Sequence, residues 1–306
     1  MLKALADGFY TYAVPAGLCV IMAGLGLSLS VRSLLETVTR PRALAIGLFS
    51  QMLLPPALAF LIAWLFSPPP VIAVGLVFLA ACPGGITSTT YTYASRGDVA
   101  LSVTMTTLSS FAAAVTMPLY AQLGLNWFGV QGEVDVGFPL LEIMRSLFLM
   151  TVAPITLGII IRQRRPELAR RLAEPVRKLA LCMLILIIVG NAIVSFDTIV
   201  KHFATAGVIA LVLNVAAMAT GYVIARAFAL PTPQVVAITY ETGLHNIALA
   251  FTISMTLLRM PDYAITALLY ALVMKITALA FLGISKRMMA RAAAADAVPA
   301  ARLRAP

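Results

Sequence analysis

Long apolar runs separated by short polar or basic stretches dominate this chain. Nine runs can be drawn, at residues 10–30, 43–66, 71–95, 98–122, 139–161, 178–195, 203–229, 234–258 and 262–285. Each approaches the roughly 20 residues that an apolar helix needs to cross about 30 Å of hydrocarbon. The separators carry turn formers or charge: SPPP at 67–70, RGD at 96–98, RQRRPELARRLAEPVRK at 162–178 and LPTP at 230–233. The pattern predicts an all-α membrane protein with nine transmembrane helices in one domain over residues 1–306, with a short sixth helix. The first run is not followed by a small-residue cleavage site, so it reads as a spanning helix and not as a removed leader. Residues 287–306, Ala-rich and basic, read as a disordered tail.

Two of the runs are interrupted. The third contains ACPGGITSTTYTYAS, residues 81–95, where Pro83 lacks an amide donor and Gly84 and Gly85 weaken a helix. The eighth contains ITYETGLHNIALAFTIS, residues 238–254, which places Glu241, His245 and Asn246 in an otherwise apolar segment. A broken helix is tolerated in a bilayer where protein or a wet cavity satisfies its freed backbone groups. If the helices alternate in direction, the third and eighth run oppositely. Interruptions at corresponding places in two inverted halves are the sequence pointer to a transporter's binding site.

Composition sharpens the class. Hydrophobic residues make up 61% of the 306 and charged ones 11%, against about 25% charged in soluble domains. The net charge of +10 is not a nucleic-acid footprint. Of the 22 Lys and Arg, 17 fall on alternate separators: Arg32, Arg40, Arg42, Arg96, the 162–178 cluster, Arg226 and the tail. Lys3, Lys201 and Arg259 lie on the other side. By the positive-inside rule this predicts an external N-terminus and a cytoplasmic C-terminus. Cys19, Cys82 and Cys182 lie in apolar runs at no metal or disulfide spacing. No His-Glu-x-x-His, no Gly-x-Ser-x-Gly and no paired intramembrane aspartates occur, so the sequence does not read as an enzyme.

CPGGITSTTYTYASRGDVALSVTMTTLSS (82–110) resembles the central motif of the bile acid:sodium symporter family. ETGLHNIALA (241–250) resembles its second motif, Glu-x-Gly-x-Gln-Asn, and FSQMLLPP (49–56) a third segment. The resemblance implies an inverted-repeat transporter fold whose third and eighth helices are discontinuous and cross. It implies a bacterial member in a nine-helix form, in the cytoplasmic membrane, lacking the first helix of the ten-helix members. It further implies sodium-coupled symport of an organic anion: a bile acid, a pantoate-like acid or another carboxylate.

By the same resemblance one sodium site comprises Ser88, Thr89, Ser102, Thr106 and Glu241. A second comprises Gln51, Glu241 and His245. The residue chemistry agrees for the first, since sodium, a hard cation, prefers oxygen ligands. Ser102 and Thr106, four apart, share a helix face. Each hydroxyl alone is equally well explained by back-bonding to its own helix. Two positions depart from the family pattern, with Thr89 where asparagine is usual and His245 where glutamine is usual. Imidazole offers a hard cation only nitrogen, so a single-sodium or proton-coupled carrier using His245 stands as the alternative, followed by a ligand sensor or channel. For His245 the plainer reading is a buried imidazole satisfied by Asn246 or a carbonyl. Thr87, His245 and Asn246, near the N-terminal ends of the two half-helices, are the candidate substrate contacts.

Overall fold

The structure, a computed structural model, describes residues 8–39, 41–129 and 139–302. Lys3, Arg40 and Arg304 of the charge pattern lie outside the described residues. The described residues fold into helices without a β-strand. In chain order these are α1 (Phe9–Ser28), α2 (Val31–Val38), α3 (Pro41–Phe66), α4 (Pro70–Ala80), α5 (Ile86–Ala94) and α6 (Val99–Phe128). There follow α7 (Leu140–Arg164), α8 (Pro166–Val194), α9 (Phe196–Ala227), α10 (Thr232–Gly243), α11 (Ile247–Leu257) and α12 (Ile265–Arg302).

Seven of these segments are long and apolar enough to cross a membrane: α1, α3, α6, α7, α8, α9 and the last, counted from Pro261. The protein is a multi-pass membrane protein. Its outward side chains bear this out, with Leu61, Trp64, Trp127, Leu149, Ile185, Ile276 and Leu279 all exposed, an apolar surface that lipid covers. The third and eighth apolar runs are each two shorter helices, α4 with α5 and α10 with α11, separated by non-helical residues.

The sixth helix is not short. α8 begins at Pro166, inside the separator. Pro166 suits a first helical turn, where its missing N–H is not needed, and Glu167 favours the same turn. The charges pair along the helix, Arg170 with Glu167 at 3.3 Å and Arg177 with Glu174 at 2.9 Å. A charged segment thus extends an apolar helix beyond the end of its hydropathy, which is the only end that the run displays.

α1 packs mainly against α7 and α8, while α9 packs against α3, α10 and α12. The contact of α1 with α7 is unusually close. A Cβ on Gly26 would overlap the Ile155 carbonyl, and one on Gly158 would lie 2.7 Å from the Ala23 carbonyl. Small residues here let two backbones touch, a main source of helix association in lipid.

Candidate functional site

The two interruptions meet. α4 ends at Ala80, and Gly85, extended at φ −138° and ψ −177°, precedes α5. α10 ends at Gly243, followed by extended Leu244. Between the breaks, Gly84 and His245 form an antiparallel bridge. The Asn246 amide donates to the Pro83 carbonyl at 2.9 Å. His245 Nδ1 lies 2.9 Å from the Cys82 carbonyl, which can only accept, so Nδ1 carries the proton and donates. The Gly243 carbonyl accepts from Asn214 Nδ2 and Tyr270 Oη, both at 2.7 Å. Groups freed by one break are therefore satisfied by the other and by two neighbouring helices, as a low-dielectric interior demands.

Directly beside this bridge lies the Glu241 carboxylate, fully buried on the last turn of α10. Its Oε1 accepts from Ser88 Oγ at 2.6 Å and Ser102 Oγ at 2.5 Å. Its Oε2 accepts from Thr106 Oγ1 at 2.8 Å and, more weakly, from Gln51 Nε2 at 3.4 Å. Three helices thus supply partners, α3, α5 and α6. Hydrogen bonds to a charged group contribute about 1.5–3 kcal/mol each, and a buried carboxylate without such partners would be costly. Thr89 Oγ1 stands one step out, 3.0 Å from Ser102 Oγ.

The donors are fewer than the contacts. Ser88 Oγ lies 2.6 Å from both Glu241 Oε1 and the Gly85 carbonyl, yet a serine has one hydroxyl hydrogen. Gln51 Oε1 is buried without a donor. Oxygen lone pairs are in excess around Glu241, the donor set that suits a hard cation.

Gly84 makes the approach possible. A Cβ there would overlap Glu241 Oε2 and lie 2.7 Å from Gln51 Nε2. This close approach of backbone to carboxylate requires glycine.

Of the sequence-predicted site residues, Gln51, Ser88, Ser102, Thr106 and Glu241 are brought together, with Thr89 adjoining. His245 makes no hydrogen bond to Glu241. It donates to Cys82, its ring centroid is 5.6 Å from that of Tyr270, and its Nε2 is buried without a partner. The carbonyl partner, not Asn246, satisfies Nδ1. Asn246 Oδ1 caps α11 by accepting from the Leu249 amide at 3.2 Å. Thr87 is half-buried in the first turn of α5 and does not bond Glu241. Asn214, Tyr270 and Gly84 were not singled out for the site. The signal for Asn214 was present, a lone amide in an apolar run, but its reach to Gly243 depends on which helices cross.

Residues 15–202 match the model of the Sodium Bile acid symporter family. A sodium-dependent organic anion transporter of Bos taurus is 29% identical over 258 residues, covering 82% of this chain and 66% of the relative. A probable chloroplastic sodium/metabolite cotransporter of Oryza sativa subsp. japonica is 30% identical, covering 78% and 57%. Sodium/bile acid cotransporter 4 of Homo sapiens is 31% identical, covering 78% and 55%. The chain thus spans between about half and two thirds of the length of these relatives.

Proposed function

Because the chain belongs to the sodium bile acid symporter family, we propose that it is a secondary active transporter that couples inward sodium flow to uptake of an organic anion. The observation that carries this reading is the convergence of Gln51, Ser88, Ser102 and Thr106 on the buried Glu241 carboxylate beside two crossing helix breaks. The oxygen-rich donor set fits sodium. Ser88, Ser102, Thr106, Glu241 and the adjoining Thr89 would hold one ion as co-substrate. Glu241 links these residues to Gln51, so a second ion there would share it.

The antiparallel bridge of Gly84 with His245 supports an inverted-repeat arrangement, in which α4 with α5 and α10 with α11 complete nine spans. The N-terminal ends of α5 and α11 meet at the crossing. Helix N-termini attract carboxylates, which favours a carboxylate substrate contacting Thr87 and the part of Asn246 not used in its cap. The packing of α1, α7 and α8 as a group supports movement of that group against the crossing helices in alternating access. The basic separators support an external N-terminus and a cytoplasmic C-terminus.

A second reading concerns His245. With Nδ1 committed to Cys82, the buried and unpartnered Nε2 is the ring position left to take a proton or a ligand. In this reading a proton on His245 replaces a second sodium. Purified protein in liposomes, given a panel of labelled carboxylates with and without an inward sodium gradient, tests the proposal. Accumulation above the external concentration identifies a carrier. Equilibration without accumulation identifies a channel, and binding without entry a sensor.

A further inference from the structure

A cavity of about 560 Å³ opens where α1 ends, lined by Leu29, Val31, Leu35, Thr39, Arg162 and Gln163 among others. Its size falls within the ~300–1,000 Å³ of small-ligand sites. Its origin is local. The glycines Gly26 and Gly158 hold α1 and α7 in backbone contact. Two residues after Gly26, α1 stops at Ser28, and Leu29 and Ser30 are extended, at ψ 130° and 121°. α7 continues to Arg164, so the space beside its last turn is left to the eight-residue helix α2. Arg162 stands four residues after Gly158 and so on the face that α7 turns toward α1.

The walls have two characters. Leu29 is buried, Leu35 is 61% exposed, and neighbouring Val38 is 50% exposed. Arg162 is half-buried and forms no ion pair among the described residues, and Arg164 and Arg165 follow it at the helix end. An apolar trough that closes on the Arg162 guanidinium matches a molecule with hydrocarbon at one end and an anionic group at the other. Guanidinium is the side chain whose planar donors best fit phosphate.

We propose that this cavity is a binding site for an anionic phospholipid, its phosphate on Arg162 and its first acyl methylenes along Leu29, Val31 and Leu35. A zwitterionic lipid presents the same phosphate with a cation beside it, which Arg162 and the basic end of α7 disfavour. Since α2 joins α1 to α3, the lipid would sit at the connector between the α1–α7–α8 group and the rest of the bundle. This proposal is independent of the sodium reading.

The test is native mass spectrometry of the full-length protein in mild detergent, with phosphatidylglycerol, phosphatidylcholine or inorganic phosphate added. Wild type is expected to retain phosphatidylglycerol about fivefold better than phosphatidylcholine, the factor equivalent to about 1 kcal/mol per basic residue near anionic lipid. Arg162→Gln should lose that preference and Arg162→Lys keep most of it. Leu35→Asp, at an exposed position that does not threaten folding, should also lose it. Equal retention of the two lipids by wild type, or an unchanged preference in both Arg162→Gln and Leu35→Asp, would overturn the proposal. Displacement of the lipid by equimolar inorganic phosphate would assign the cavity to a free anion and overturn it too.

Discussion

The backbone amide of Asn246 donates to the Pro83 carbonyl at 2.9 Å, which ties the break after α10 to the break after α4. One residue away in each segment, Gly84 and His245 complete an antiparallel bridge. A cation site built on Glu241 inherits its geometry from this tie, because Gly84 also abuts the Glu241 carboxylate.

Gly84→Ala should therefore disable sodium coupling while leaving the protein in the membrane. A Cβ at Gly84 overlaps Glu241 Oε2, whereas one at Gly85 meets nothing closer than Asn246 Cα at 3.7 Å. Sodium-stimulated uptake should fall about 10–100-fold in Gly84→Ala, the usual cost of disturbing a cation site's supporting shell. Gly85→Ala should remain near wild type. Equal effects of the two substitutions would show that the glycines serve the backbone and not the carboxylate.

Removing the hydroxyls of Ser102 and Thr106 together should raise the half-saturating sodium concentration about tenfold or more. Anion affinity at saturating sodium should change little, since both hydroxyls point at Glu241. Uptake measured against sodium for the double alanine variant checks this. An unchanged sodium curve would return both residues to a packing role.

The Gly243 carbonyl has two donors, Asn214 and Tyr270. Asn214→Leu and Tyr270→Phe alone should each lower stability modestly, by about 0.6–1.7 kcal/mol, as polar contacts between membrane helices do. The double variant strands a buried carbonyl, which costs about 1–3 kcal/mol more, so the effects should exceed additivity. Thermal unfolding in detergent of the four proteins of this cycle measures the excess. Strict additivity would mean that water or another group takes the carbonyl.

His245→Gln restores an amide oxygen beside the crossing. If a proton on His245 substitutes for a second ion, wild-type uptake should depend on pH, since imidazole is a side chain at the crossing that can exchange a proton. The glutamine variant should lose that dependence and respond more steeply to sodium. A wild type that shows steep sodium dependence with no pH effect would contradict the proton reading.

Much of this was legible in the sequence, and the reasons differ by residue. Glu241 stands out because a carboxylate in hydrocarbon needs a partner; Ser88, Ser102, Thr106 and Gln51 were picked out by the family resemblance, with which the i,i+4 spacing of Ser102 and Thr106 agrees. The breaks were legible from Pro83, Gly84, Gly85 and Gly243. The commitment of His245 to Cys82 and of Asn214 to Gly243 was not, since these contacts span 163 and 29 residues and depend on how the helices cross. The start of α8 was misplaced because hydropathy marks where lipid contact ends, while Glu167 and Glu174 carry the helix through charged residues by pairing with Arg170 and Arg177.

The central claim is that Glu241 holds the coupling cation. The most direct measurement is the thermal stability of purified protein titrated with sodium chloride against potassium chloride at equal ionic strength, for wild type and Glu241→Gln. It needs no knowledge of the transported anion. A ligand that binds only the folded state stabilises it by about 2.7 kcal/mol at a hundredfold excess over its dissociation constant. Wild type should show a saturable rise with sodium and none with potassium, and Glu241→Gln should show neither. A sodium-specific rise that survives in Glu241→Gln would contradict the account.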